Sequence, residues 1–192
     1  MKKIFCAVML VILLLASFTL SACGNSTTED GVTIPVGMKQ ISPDTADYYL
    51  FINEDWKEDI STGVVTAYYS DNDPTNVAMM VFSLNTDMTY SEYWTSYEKE
   101  FASVYSDYEL VDQSETLLDG VASGRFVYTG TFGDAETTAE GETSTAVKYK
   151  FTTIVTIKDR SIYLLTYSAR DTKYDEHIED FSDVLLNFKF KG

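Results

Sequence analysis

The sequence is poor in the residues that carry much of protein chemistry, with one histidine, two cysteines and 14 basic residues among 192. One histidine and two cysteines are too few soft ligands for a typical zinc or iron–sulfur centre. The 30 acidic residues give a net charge of −16, which excludes the basic surface of a nucleic-acid-binding protein. A hydrophobic fraction of 45% excludes a disordered chain.

The first 22 residues have the layout of a secretory signal peptide. Lysines at positions 2 and 3 precede an apolar run, residues 4–15, and small residues follow. The segment ends in Leu20-Ser21-Ala22-Cys23, which resembles the bacterial lipobox. That resemblance implies cleavage before Cys23 and a diacylglyceryl chain on its sulfur, so that the protein is anchored to the extracytoplasmic face of the cell membrane. The alternative is an uncleaved anchor, because the apolar stretch approaches the ~20 residues of a membrane span.

The predicted cleavage changes what the remaining chain can do. Cys6 leaves with the peptide, so Cys23 has no second cysteine with which to form a disulfide. Two lysines and no acid are removed, which makes the mature chain more acidic than the full sequence. Such a domain is repelled by anionic lipid, so we expect the acyl chains alone to hold it at the membrane.

Three segments are predicted: a signal peptide over residues 1–22, a flexible tether over residues 23–39, and one domain over residues 40–192. The tether is rich in Ser, Thr, Gly and acidic residues and has no apolar periodicity. The domain is long enough for a single core. Within it we find no second linker.

Alternating apolar and polar residues predict strands joined by short turns, and therefore an antiparallel sheet. The predicted strands cover residues 48–53, 64–70, 76–84, 108–117, 121–132, 147–157 and 162–169. Two segments have helical periodicity, with apolar stripes beginning at Tyr90 and Tyr174. Thr89 and Thr172 are each followed three residues later by an acid, which predicts a capping box for each helix. The expected fold class is α+β, an antiparallel sheet packed with two main helices.

This order of elements resembles the PsbP-like family. Four segments show the resemblance. Tyr49–Trp56 is similar to the family's opening strand and turn, and Leu117–Ala122 is similar to its glycine turn. Ile162–Ala169 is similar to its late strand, and Phe181–Phe190 to its closing helix. The resemblance spans about residues 40–190. It implies the fold, and it supplies no catalytic residue to transfer.

His177, the single histidine, lies among acidic residues of the last predicted helix, and we expect it on a solvated surface. The turn Asp71-Asn72-Asp73 and the acidic loop from Gly133 to Ser144 are candidate calcium ligands, since calcium binds oxygen atoms. Neither has the EF-hand spacing, and local turn stabilisation explains the first more simply. We therefore predict no metal and no cofactor.

Two other features are candidate binding surfaces. One predicted hairpin carries four basic residues, Lys148, Lys150, Lys158 and Arg160. They could bind an anionic partner. We favour the other interpretation, in which they protect the edges of the sheet from pairing with another strand. Trp56 follows a strand, and we expect it to be buried and to hold its turn in place.

Three functions remain compatible with the sequence. The favoured one is a membrane-anchored, non-catalytic binding or accessory module that acts on an envelope protein or a small ligand. The second is a metal-assisted hydrolase that uses acidic loop residues. The third is a self-associating structural component of the cell envelope. The sequence carries no nucleophile elbow, phosphate-binding loop or dinucleotide motif.

Overall fold

The structure is a computed structural model that describes residues 26–59, 64–132 and 146–192. The lipobox and the acidic loop from Gly133 to Ser144 lie outside the described residues. The chain divides into two units, residues 1–33 and 34–192. In the first, the amide of Thr28 donates to the carbonyl of Val32 at 2.8 Å and closes a short turn. The domain boundaries themselves stay a prediction.

The second unit is built from helices and antiparallel sheets. Its strands are β1 Met38–Gln40, β2 Tyr48–Tyr49, β3 Phe51–Asn53, β4 Lys57–Asp59, β5 Val65–Ser70, β6 Asp73–Ser83, β7 Ser106–Leu118, β8 Val121–Phe132, β9 Val147–Lys158, β10 Ser161–Arg170 and β11 Lys189–Phe190. Its helices are α1 Tyr90–Val104, a 3-10 helix Asp171–Glu176 and α2 Ile178–Asn187. In the described part of the chain, the main sheet has seven strands in the order β4-β5-β6-β10-β9-β8-β7. The predicted α+β class is confirmed.

A separate hydrophobic core packs on each face of the main sheet. One core joins the sheet to β2, β3 and α2 and contains Trp56, Leu165 and Phe181. The other lies under α1 and contains Trp94 and Leu164. Because successive strand residues point to opposite faces, Leu164 and Leu165 are buried in different cores. The central strands are therefore apolar on both sides.

Helix α1 begins with the capping box that the sequence predicts. The Glu92 amide donates to the Thr89 hydroxyl at 3.2 Å, and the Glu92 carboxylate accepts from the Thr89 amide at 2.8 Å. Trp94 is buried and stacks on Phe126 with ring centroids 4.1 Å apart. This stack fixes the helix against β8.

The second predicted capping box, at Thr172, is wrong. Residues 171–176 form a 3-10 helix, and α2 begins only after His177, which makes no side-chain cap. Packing of Tyr174 explains the difference, since its hydroxyl hydrogen-bonds Thr152 and its carbonyl accepts from Tyr167 at 2.8 Å. Tertiary contacts thus decide the backbone here.

The predicted strand over residues 48–53 is interrupted at Leu50, and its halves have different partners. The Leu50 amide donates to the hydroxyl of Ser42 at 3.0 Å, outside any ladder. Strand β3 pairs with β1, whereas β2 pairs with β11 at the other end of the chain. The Phe190 amide also donates to Asp119 at 2.8 Å, which fixes the C-terminal strand to the β7–β8 turn. No helix among the described residues is both long and apolar enough to cross a membrane.

Candidate functional site

Part of the sheet face under α1 is left open, and it forms a groove. Directly paired residues of antiparallel strands face the same side, so Tyr68, Asn76 and Ser168 form a row that continues to Phe151. Helix α1 covers the Phe151 end of this row. Over β5, β6 and β10 lie two adjoining depressions of about 620 and 450 Å³, which share Pro74 and Asn76.

The groove combines aromatic walls with uncharged polar groups. Its aromatic lining residues are Tyr68, Tyr105, Phe132, Tyr149 and Phe151, and its uncharged polar ones include Thr66, Asn76 and Ser168. Phe132 is 46% exposed although it is fully apolar. Carboxylates lie at one end of the groove, where Asp71 forms an ion pair with Lys57 and accepts from the Tyr68 hydroxyl at 3.3 Å. Such a lining suits a ligand with apolar groups and hydrogen-bonding amides or hydroxyls.

A second cluster surrounds His177 on the opposite face of the same end of the sheet. Tyr69 neighbours Tyr68 in β5 but points the other way, and its ring centroid lies 3.8 Å from that of His177. Trp56 contacts the imidazole edge-on, with centroids 6.1 Å apart. His177 is only 9% exposed, so the expectation of a solvated surface residue is wrong. The burial arises because His177 lies at the junction of the 3-10 helix and α2, facing the sheet.

Carboxylates surround the polar edge of this histidine. Its Nε2 lies 3.7 Å from Asp73, and its Nδ1 lies 3.4 Å from Asp180. Burial acts to raise the pKa of Asp73, but hydrogen bonds from Thr75 and the electrostatic influence of nearby basic side chains outweigh it. The pKa of this carboxyl is therefore below its ordinary value.

Glu176 completes a group of potential metal ligands. One donor atom from each of Asp73, Glu176 and His177 lies within 4.8 Å of the other two. The Glu176 carboxylate accepts from the Lys173 ammonium at 2.8 and 2.6 Å. The candidate ligands thus come from the start of β6 and from the junction between the two C-terminal helices.

The acidic turn does not act as one unit. The carboxylate of Asp71 lines the groove, whereas Asp73 contacts His177 on the other face. Asp73 also accepts from the Thr75 amide at 3.1 Å and from its hydroxyl at 2.7 Å, as expected for local turn stabilisation. Two carboxylates that diverge in this way do not form a shared calcium site.

The proposed role of the basic hairpin as an edge guard is wrong. Strands β9 and β10 are interior strands, and the sheet edges are β4 and β7. Lys150 lies over the Tyr174 ring at 4.2 Å, and Lys158 over the Phe190 ring at 5.5 Å. These lysine stems therefore pack beneath the C-terminal segment. The expected burial of Trp56 is confirmed, at 1% exposure.

The architecture is that of the PsbP-like α+β class. No family model and no curated protein matches this sequence. Among solved structures, the chain is similar to the cyanobacterial PsbP protein CyanoP from Synechocystis, with a TM-score of 0.53, 13% identity, and coverage of 86% of this chain and 97% of that one. It is also similar to the Saccharomyces cerevisiae Ran-binding protein Mog1p, with a TM-score of 0.55, 6% identity, and coverage of 80% and 95%.

A third similar structure is a Pseudomonas aeruginosa protein described as a putative regulator. Its TM-score is 0.52 at 10% identity, with coverage of 78% of this chain and 94% of that one. At these identities the likeness establishes the fold.

Proposed function

We propose that this protein is an extracytoplasmic lipoprotein whose domain is a non-catalytic module that binds a protein of the cell envelope. The observation that carries the proposal is the open groove over β5, β6 and β10, with its aromatic walls and uncharged polar lining. A segment of a partner protein supplies both apolar side chains and backbone amides, which such a lining accommodates. The Ran-binding protein of similar fold is an example of a protein-binding function on this scaffold.

The anchor proposal rests on the sequence of the N-terminus. Cys23 follows a signal-peptide pattern and a match to the lipobox. Fourteen residues lie between it and β1, and an extended chain from Cys23 to Met38 spans at most about 50 Å. The net charge of −16 favours a position away from anionic lipid and a partner that is neutral or basic.

The groove is tested by proximity labelling and crosslinking in whole cells that express the full-length protein, followed by mass spectrometry. Asn76 lines both depressions, so the variant Asn76→Arg places a long cation across them. The matched control is Asn85→Arg, an exposed asparagine in the loop after β6.

We expect one envelope protein to be enriched by the parent and by Asn85→Arg, and to be lost with Asn76→Arg. Equal enrichment with both variants contradicts a role for the groove. Crosslinks only between copies of this chain support the structural, self-associating alternative instead.

The anchor is tested by substituting Cys23→Ala and separating membranes from soluble material. The variant lacks the sulfur that takes the lipid, so we expect it to leave the membrane fraction. Ser21→Thr, a conservative change in the same segment, serves as the control and should remain attached. Tight membrane attachment of Cys23→Ala contradicts lipidation and favours an uncleaved apolar anchor.

A further inference from the structure

We propose that Asp73, Glu176 and His177 form a zinc-binding site on the face of the sheet opposite the groove. The site is independent of the proposed binding function, since it uses neither the groove nor the lipid anchor. Three observations carry the proposal: the spacing of the donor atoms, the packing that holds the imidazole ring, and the positions of the carboxylates around it.

The spacing fits one ion. Zinc binds imidazole nitrogen and carboxylate oxygen at about 2.0–2.2 Å in tetrahedral geometry, so two ligand atoms on one ion lie about 3.3–3.6 Å apart. The 3.7 Å between Nε2 of His177 and Oδ2 of Asp73 is close to this spacing. Glu176 has a donor atom within 4.8 Å of one on each of the other two residues, so the exposed Glu176 side chain must move by at most about 1.5 Å to complete the set.

The imidazole is held in place but lacks a hydrogen bond at the nitrogen that faces the site. Tyr69 and Trp56 pack against the ring and fix its plane. The distance of 3.7 Å from Nε2 to Asp73 is too long for a hydrogen bond. The His177 side chain is 11% exposed, and a metal ion between Nε2 and Asp73 supplies the partner that this nitrogen lacks within the protein.

The other ring nitrogen faces a carboxylate. Nδ1 lies 3.4 Å from the carboxylate of Asp180, in the first turn of α2. Histidine ligands of zinc ordinarily direct their second nitrogen at a carboxylate or carbonyl, which orients the ring. Asp73 is likewise fixed, by its two hydrogen bonds from Thr75. Two of the three ligands are thus oriented before an ion binds.

The local charge also favours a cation. Three carboxylates, those of Asp73, Glu176 and Asp180, surround one imidazole, and Lys173 is the cation paired with Glu176. Imidazole favours zinc over calcium, which takes six to eight oxygen ligands. Lys173 competes with the ion for Glu176, so its removal should strengthen binding. Carboxylates also bind zinc, so a single histidine and two cysteines do not by themselves exclude a zinc site.

The test is calorimetric titration of the full-length protein in detergent with zinc chloride. We expect Asp73→Asn and Glu176→Gln each to weaken zinc binding by at least about tenfold, since each removes a ligand charge. Lys173→Met should tighten binding. Asp183→Asn, which removes an exposed carboxylate from the same helix α2, should leave the affinity unchanged.

A second measurement identifies the ligands directly. Cobalt titration should give a visible spectrum typical of nitrogen and oxygen ligands, and Glu176→Gln should alter it. Glu176 is exposed, so this variant is expected to fold. Absence of zinc binding to the parent overturns the proposal. So does an affinity that is the same in the parent, Asp73→Asn and Glu176→Gln, because the ion then binds elsewhere.

Discussion

Removal of the capping box of α1 should destabilise the whole domain by about 1 kcal/mol. In Thr89→Ala the Glu92 amide loses the acceptor that lies 3.2 Å away, and the Glu92 carboxylate loses the hydroxyl that donates to it at 2.9 Å. Loss of an N-cap costs about 0.5–2 kcal/mol. The loss affects global stability because α1 is fixed to the sheet through Trp94, which is 3% exposed. For a domain of this size, 1 kcal/mol lowers Tm by about 2–4 °C.

The assay is urea unfolding followed by tryptophan fluorescence, with Thr172→Ala as the matched control. Thr172 has the same sequence pattern, but it lies in the 3-10 helix and forms no capping box, so its substitution should change stability by less than about 0.5 kcal/mol. Equal losses in the two variants would refute the reasoning, because the effect would then reflect the residue type. A loss of only a few tenths of a kcal/mol in Thr89→Ala would refute the coupling between the cap and the core.

The same capping box should respond to pH. The hydrogen bond from the Thr89 backbone, followed by that from its hydroxyl, lowers the pKa of Glu92 below its ordinary value. A carboxyl whose pKa is depressed by folding adds stability above its unfolded pKa of about 4.3 and loses it as the pH falls through the folded value. The stability difference between the parent and Glu92→Gln should therefore be present at neutral pH and shrink below about pH 4. A difference that is constant between pH 3 and 7 would contradict this assignment.

Three further substitutions test the packing of the two cores, all by urea or thermal unfolding. Gly130→Ala should lower the free energy of unfolding by about 1–3 kcal/mol, because the added Cβ would lie 2.6 Å from Cβ of Tyr105. An unchanged unfolding midpoint would show that α1 shifts freely. Trp94→Ala should cost about 3–5 kcal/mol by emptying the core under α1, and a loss below 1 kcal/mol would contradict its burial. Tyr163→Phe should cost about 1–2 kcal/mol, since it removes the hydroxyl that donates to Asp47; full stability would show that this bond contributes nothing.

The sequence predicted the elements whose signals are local. Strand β8 was predicted over the residues that form it, and the Thr89 box predicted the start of α1, because alternation and capping depend on neighbours in sequence. The C-terminal helix was placed too early. The sequence around Thr172 fits a helix, but the hydroxyl of Tyr174 is held by Thr152, a contact that no local pattern shows.

The candidate sites were harder to predict, since they depend on contacts between distant segments. His177 and Asp73 are separated by more than one hundred residues and meet only through the sheet. The acidic residues next to His177 in the sequence resembled a solvated helix face, and no local pattern indicated that the histidine is buried against Tyr69. For the groove, the sequence offered one faint signal, the polar side chains of Thr66 and Asn76 in otherwise apolar strands. Which face α1 leaves open follows only from the packing.

The pairing of β2 with β11 has a consequence for how the chain folds. Hairpins such as β7–β8 and β9–β10 join strands that are close in sequence, so they can form early and without the C-terminus. The contact of Tyr48 with Phe190 instead closes a loop of about 140 residues, at an entropic cost that grows with its length. We therefore expect the core beside α2 to close last, after the C-terminal strand has been synthesised. A ribosome that still holds the last residues is therefore expected to keep this core open.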